Sequence, residues 1–184
     1  MKEWTDEALM QAYAAGDRRA FRVLFERYAP TLLRVARRHL PGEDDAKEVV
    51  QQTLFQLHAA RRDFDTSRRF RPWLLTILMN LVRQYYRRRK RRPEVDLEHA
   101  PEPQDSTATD APLQSAQSAS LVRNAMQELP SGQRDVLVLH WLEERPYAEV
   151  GEILGLSEAA VRVRAHRAYG KLREILSPAL EGAL

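Results

Sequence analysis

Four prolines, Pro93, Pro101, Pro103 and Pro112, fall within 28 residues that contain neither Lys nor Arg and carry six acidic side chains. Each proline removes a backbone donor and clashes with a preceding helical turn. The remaining residues are mostly Asp, Glu, Ser, Thr, Ala and Gln, which offer little apolar surface to bury. Residues 93–120 therefore read as a linker, and folding is left to the segments on either side. In neither segment do Val, Ile and Thr alternate with polar residues over the length of a strand, so no sheet is expected. The expectation is an all-α chain of two small helical domains, 1–92 and 121–184, joined by a flexible acidic linker, 93–120.

Apolar spacing outlines the helices. Leu9, Ala12 and Tyr13 begin an amphipathic helix that Gly16 ends. Phe21, Leu24, Phe25, Tyr28, Leu32, Val35 and Ala36 recur at three- and four-residue intervals and predict a long helix facing a core. Pro41 and Gly42 stop it. Asp45 and Glu48 then have the spacing of a capping box, and Val50, Leu54 and Leu57 form the stripe of the next helix. Residues 61–71 read as a polar loop. Pro72 stands where a first helical residue would be, and the helix from Trp73 runs into Arg87–Arg92. Beyond the linker, helices are predicted over Leu121–Leu129, Gln133–Trp141, Tyr147–Leu154 and from Glu158 to about Leu176.

Charge is distributed unevenly. Residues 1–92 carry 21 Lys and Arg against 11 Asp and Glu, whereas residues 121–184 carry eight against nine. A strongly basic first half suggests a polyanionic partner, and the acidic middle argues against uniform coating of nucleic acid. The chain has no cysteine, which excludes disulfides, thiolate zinc sites and a cysteine redox switch. No apolar run approaches the ~18–20 residues that span a bilayer. The N-terminal Met-Lys-Glu-Trp-Thr-Asp-Glu is too polar for a signal peptide, so a cytoplasmic location is expected.

Two constellations point to nucleic acid. Tyr147 to Arg164 has helix-turn-helix form: a short helix, a glycine suited to a left-handed cap at Gly155, Leu156 for the core, and Ser157 to cap the next helix. On that second helix Val161, Ala165, Ala168 and Leu172 share one face, and Arg162, Val163, His166 and Arg167 fall on the other. A recognition helix needs such a dry side and such a wet, basic side. The competing reading is a helical hairpin with a solvated charged face. The second constellation is Arg83 with Arg87–Arg92, more cations than a helix terminus requires, for which phosphate contact is the natural use. Phe64, Phe70, Trp73, Tyr85 and Tyr86 lie near it and could stack on unpaired bases, although core packing is the commoner role for each. There is no phosphate-binding glycine loop, nucleophile elbow or metal-ligand histidine pair. Glu43, Asp44, Asp45 and Glu48 are explained by helix capping without a metal. No catalytic residue, cofactor or small-molecule substrate is expected.

Taken together, these motifs resemble the extracytoplasmic-function sigma factors. Asp45-Ala-Lys-Glu-Val-Val-Gln-Gln-Thr-Leu-Phe resembles the Asp-Ala-x-Asp-Ile-Val-Gln-Glu-Thr-Phe of their region 2.2. The run Phe70-Arg-Pro-Trp-Leu-Leu-Thr-Ile-Leu-Met-Asn80 is similar to region 2.3, and the Arg run ends region 2.4. Leu129-Pro-Ser-Gly-Gln-Arg-Asp-Val-Leu resembles the start of region 4, and Val161-Arg-Val-Arg-Ala-His-Arg-Ala its recognition helix. The resemblance implies a dissociable subunit of RNA polymerase. Asp45, Glu48, Gln51 and Gln52 would dock on the core enzyme. Arg68, Arg69, Phe70, Asn80, Arg83 and Arg87 would meet the −10 element, with a base flipped from the non-template strand. Arg162, Val163, His166 and Arg167 would read the −35 element as duplex. It further implies promoter DNA and an anti-sigma factor as partners, with no membrane insertion. Gln52 stands where the family has glutamate, His58 where tryptophan is common, and Ala159, Ala160 and Val163 where Gly, Thr and Ser are usual, so the −35 preference does not carry over. Two other readings stay open on the residues alone: a free-standing regulator binding duplex DNA without polymerase, and an RNA-binding adaptor using the Arg run.

Overall fold

A computed structural model describes residues 3–91, 121–122 and 124–181. The expected linker, 93–120, lies outside the described residues, as does Arg92. The described residues form two units.

The first unit contains α1 (Asp6–Ala14), α2 (Arg18–His39), α3 (Glu43–Ala59) and α4 (Phe70–Arg91). Thr5 starts α1 by accepting the Ala8 N–H at 3.2 Å, with Asp6 and Glu7 in the first turn, where the helix dipole favours acidic groups. Gly16, at φ +106°, lets the chain turn directly into Asp17, which caps α2 through the Arg19 N–H at 2.9 Å. The helices pack as consecutive pairs α1–α2, α2–α3 and α3–α4, and α4 returns to α1 and α2. Leu9, Met10, Leu24, Leu32, Leu57, Leu74, Leu75, Leu78 and Met79 are fully buried between them, each contributing about 1.5–3 kcal/mol.

Several sequence expectations change here. Phe25 does not join the core; it is 43% exposed and packs against the Phe21 ring at 6.4 Å, at the rim of the α2 stripe. Leu54 is half-buried, and Thr53 takes the inward position with its hydroxyl donating to Val49 O at 2.8 Å. The capping box is absent. Helix α3 begins at Glu43 with no side-chain cap. Asp45 thus sits inside the first turn and accepts from the Tyr85 hydroxyl of α4 at 3.0 Å. Helix α4 begins at Phe70, two residues before Pro72, because Glu7 of α1 accepts the Phe70 N–H at 2.8 Å. Pro72 remains in the first turn, where a missing N–H costs nothing.

In the second unit residues 121–122 and 124–128 are helical. Then follow α5 (Ser131–Leu137), which continues into a π-helical turn at Val138–Leu142, α6 (Tyr147–Leu154) and α7 (Glu158–Glu181). The expected Gln133–Trp141 helix is therefore split by a change of helical pitch, and the last helix runs about a turn further than expected. Helix α5 packs on α7. Ala125, Met126, Leu129, Val136, Leu137, Leu139 and the inner face of α7 are buried. Arg134 is buried too, its guanidinium donating to the carbonyls of Met126 at 2.9 Å, Gln127 at 2.5 Å and Leu129 at 3.2 Å. These acceptors lie at the end of the preceding helical stretch, where carbonyls run out of intrahelical donors; Met126 O also accepts the Leu129 N–H at 3.4 Å.

Candidate nucleic-acid interface

The turn between α6 and α7 is fixed by two glycines for different reasons. Gly155 has φ +69°, a left-handed conformation that L side chains rarely adopt. Gly151 admits close approach: its carbonyl accepts the Leu156 N–H at 2.9 Å, and a Cβ there would meet Leu156 O at 2.6 Å. Ser157 then caps α7 through the Ala160 N–H at 3.2 Å. With its start fixed in this way, α7 buries Val161, Ala165, Ala168 and Leu172 and exposes Arg162, Val163, His166 and Arg167. The structure brings these four together on one outward surface.

Arg162 is held there rather than left to wave. Its Nη2 donates to Glu158 Oε1 at 2.5 Å, and its guanidinium carbon lies 5.5 Å over the Tyr147 ring. Tyr147 stacks on His140 at 3.9 Å, so the π-helical turn supports the start of α6. Exposed ion pairs of this kind add little stability, but they fix a rotamer.

In the first unit the −10 candidates divide. Arg68 and Arg69 are exposed on the loop before α4. Asp65 shapes that loop by accepting the Ser67 N–H at 2.9 Å, and the bonds from Ser67 hold its carboxyl below the usual range. Asn80 and Arg87 are exposed on α4, and Arg83 donates to Asn80 Oδ1 at 3.4 Å. Phe70 is not available to a base. Its side chain is fully buried, with Tyr28 at 5.3 Å, Phe64 at 5.8 Å and Trp73 at 5.8 Å. It anchors the loop instead of extending from it. Tyr85 and Tyr86 are also engaged, the first with Asp45 and the second donating to His39 O.

The docking candidates divide as well. Glu48 and Gln51 are exposed and Gln52 is half-buried, its amide donating to Glu48 Oε1 at 2.8 Å. Asp45 instead turns toward α4. Sequence reasoning missed Phe55, which is 71% exposed and lies on the same outer face, seven residues after Glu48. The signal was present: at ~100° per residue Phe55 falls opposite the buried stripe of α3, where an apolar side chain has no use in the core.

Among the described residues there is no group of three or more His, Asp or Glu placed to hold a metal ion, and no helix long and apolar enough to cross a membrane.

Residues 24–92 match Sigma-70 region 2, and residues 119–172 match Sigma-70 region 4. The chain is 33% identical over 168 residues to the RNA polymerase sigma factor CarQ of Myxococcus xanthus, covering 91% of this chain and 95% of that one. It is 30% identical over 174 residues to the ECF RNA polymerase sigma factor SigM of Mycobacterium tuberculosis, covering 95% and 86%. The structure of CnrH in complex with the cytosolic domain of CnrY is similar across 94% of this chain and 97% of that one, with a TM-score of 0.72 and 30% identity. With both regions matched in order and the relatives covered almost end to end, the chain belongs to the extracytoplasmic-function (ECF) branch of the sigma-70 family.

Proposed function

We propose that this sigma factor docks on core RNA polymerase through the outer face of α3 and reads its promoter with two separate surfaces. Glu48, Gln51, Gln52 and Phe55 form the docking face. Arg68, Arg69, Asn80, Arg83 and Arg87, on the loop before α4 and on α4 itself, meet the −10 element as single strand, with Phe70 and Asp45 as the packing and bonding that hold those surfaces in place. Arg162, Val163, His166 and Arg167 of α7 read the −35 element as duplex in the major groove. Promoter opening is then differential binding: the first unit favours unpaired over paired DNA and shifts that equilibrium. The chain performs no catalysis and works in the cytoplasm, where the polymerase is. The likeness to CnrH, solved with a bound protein domain, supports control by an anti-sigma partner that covers these surfaces. Residues 1–92 and 121–184 serve as the two binding domains and 93–120 as the tether between them.

The observation that carries this reading is the coexistence of two unlike faces. α7 turns a basic, solvated side away from a dry one, and α3 turns outward Glu48, Gln51, Gln52 and the exposed Phe55, with no Lys or Arg among them. A free-standing regulator needs only the first. The test is reconstitution with core polymerase. Changing Glu48 and Gln51 to Arg should abolish core binding and promoter-directed transcription while circular dichroism stays that of a folded helical protein. Phe55→Ser should weaken core binding without touching the fold. Unchanged affinity in both variants would remove α3 as the docking element.

A further inference from the structure

Val163 is half exposed in a chain whose other valines in the second-unit core are fully covered. On α7 it lies nearly opposite the buried line of Val161, Ala165, Ala168 and Leu172. Val163 itself leans over the small Ala159 and Ala160 one turn before it, and even with His166 and Arg167 one turn after it, half of its surface stays exposed. The cations are to the sides. Arg162 is held along one flank by Glu158 and Tyr147, and Arg167 lies on the other. Val163 is thus the apolar position of the solvated face, with His166 beside it on the Arg162 side and the two arginines at the edges.

That pattern has a specific complement in duplex DNA. Positive edges suit the two phosphate backbones that border a groove. Between them, the major groove offers one apolar group, the C5 methyl of thymine. Valine neither donates nor accepts, so an amino group or a ring acceptor facing it would lose water and gain nothing. Cytosine would present its N4 amino group, and a purine its N7. Resting on the assignment of α7 to the −35 duplex, we propose that Val163 selects a thymine in the −35 element by contact with its C5 methyl group.

The experiment uses holoenzyme assembled from the full chain and core polymerase. Duplexes with a randomised −35 segment are selected for binding, and each recurring thymine is then replaced singly by deoxyuridine, which deletes the methyl and leaves every hydrogen-bonding group in place. At one thymine the replacement should weaken wild-type binding about fourfold, the factor one buried methylene-sized group supplies. Val163→Ser should bind both duplexes about equally. A −35 consensus with no thymine whose methyl matters, or a methyl effect of the same size in Val163→Ser, overturns the inference and leaves the −35 assignment standing. If selection yields no preferred duplex and Arg167→Ala changes nothing, the assignment of α7 fails and this inference fails with it.

Discussion

Phe70 lies in the segment proposed to meet the −10 element, yet its side chain is packed inside the first unit. Its ring is enclosed by Tyr28, Phe64 and Trp73, and its N–H is tied to Glu7. Phe70→Ala should therefore destabilise the first unit by about 3–5 kcal/mol, the usual loss for a buried phenylalanine. Chemical denaturation checks this, and a loss under 1 kcal/mol would return Phe70 to the list of exposed contacts. Tyr85 gives a second prediction. Burial, and then the bond to the Asp45 carboxylate, push its phenol up to about 12, against about 10 in an unfolded chain. The folded state thus holds the proton longer. The resulting stabilisation is complete below about pH 10 and is lost as pH rises toward 12. Tyr85→Phe, which cannot ionise, should be less stable than wild type near neutrality, and the gap should narrow through that window. Urea midpoints of the two proteins against pH would show it; a constant gap would mean that neither burial nor Asp45 raises the phenol. Neither role was legible in the sequence. Glu7 and Phe70 are 63 residues apart, and Asp45 and Tyr85 are 40, so only the packed helices bring them together.

At the scale of elements, much was readable because burial follows helical spacing. The inner line of α7, the cap at Ser157 and the left-handed Gly155 can all be found from the residues alone, since each depends on neighbours within a turn. What escaped depends on tertiary context. The π-helical turn at Val138–Leu142 has no spacing of its own to announce it, and the start of α4 is set by α1. Gly151 is an intermediate case: its presence in a short helix is visible, but its purpose is the backbone of Leu156 pressed against it. Gly151→Ala should open the α6–α7 turn and lower −35 duplex binding by an order of magnitude or more, because that turn places the α7 side chains proposed to read bases. Core-polymerase binding through α3 should persist. Binding assays against each partner separate the two effects, and loss of both together would contradict the independence of the two surfaces.

At the scale of the whole chain, the proposed reading gives each helical unit its own promoter element, and the length of the sequence between them then limits how far apart those elements can lie. Residues 93–120 number 28, a reach of at most ~95 Å when extended. Two elements about 16 base pairs apart would be separated by about 55 Å at ~3.4 Å per base pair. Removing 15 of those residues leaves 13, with a reach of at most ~45 Å. Such a deletion should retain binding to each element on separate DNA fragments and lose transcription from the joined promoter; full activity would show that the segment is not a tether. A division of this kind invites dissection, and Arg134 decides where the cut can fall. Its charge is buried and met only by backbone oxygens of residues 126, 127 and 129 among its hydrogen-bond partners described above. A fragment beginning at Ser131 would keep α5, α6 and α7 and yet lose the three carbonyls that hold the Arg134 guanidinium, together with the buried side chains of Ala125, Met126 and Leu129. A fragment made to test the proposed −35 reading by α7 should therefore begin before residue 124, so that it keeps the helical residues that hold Arg134.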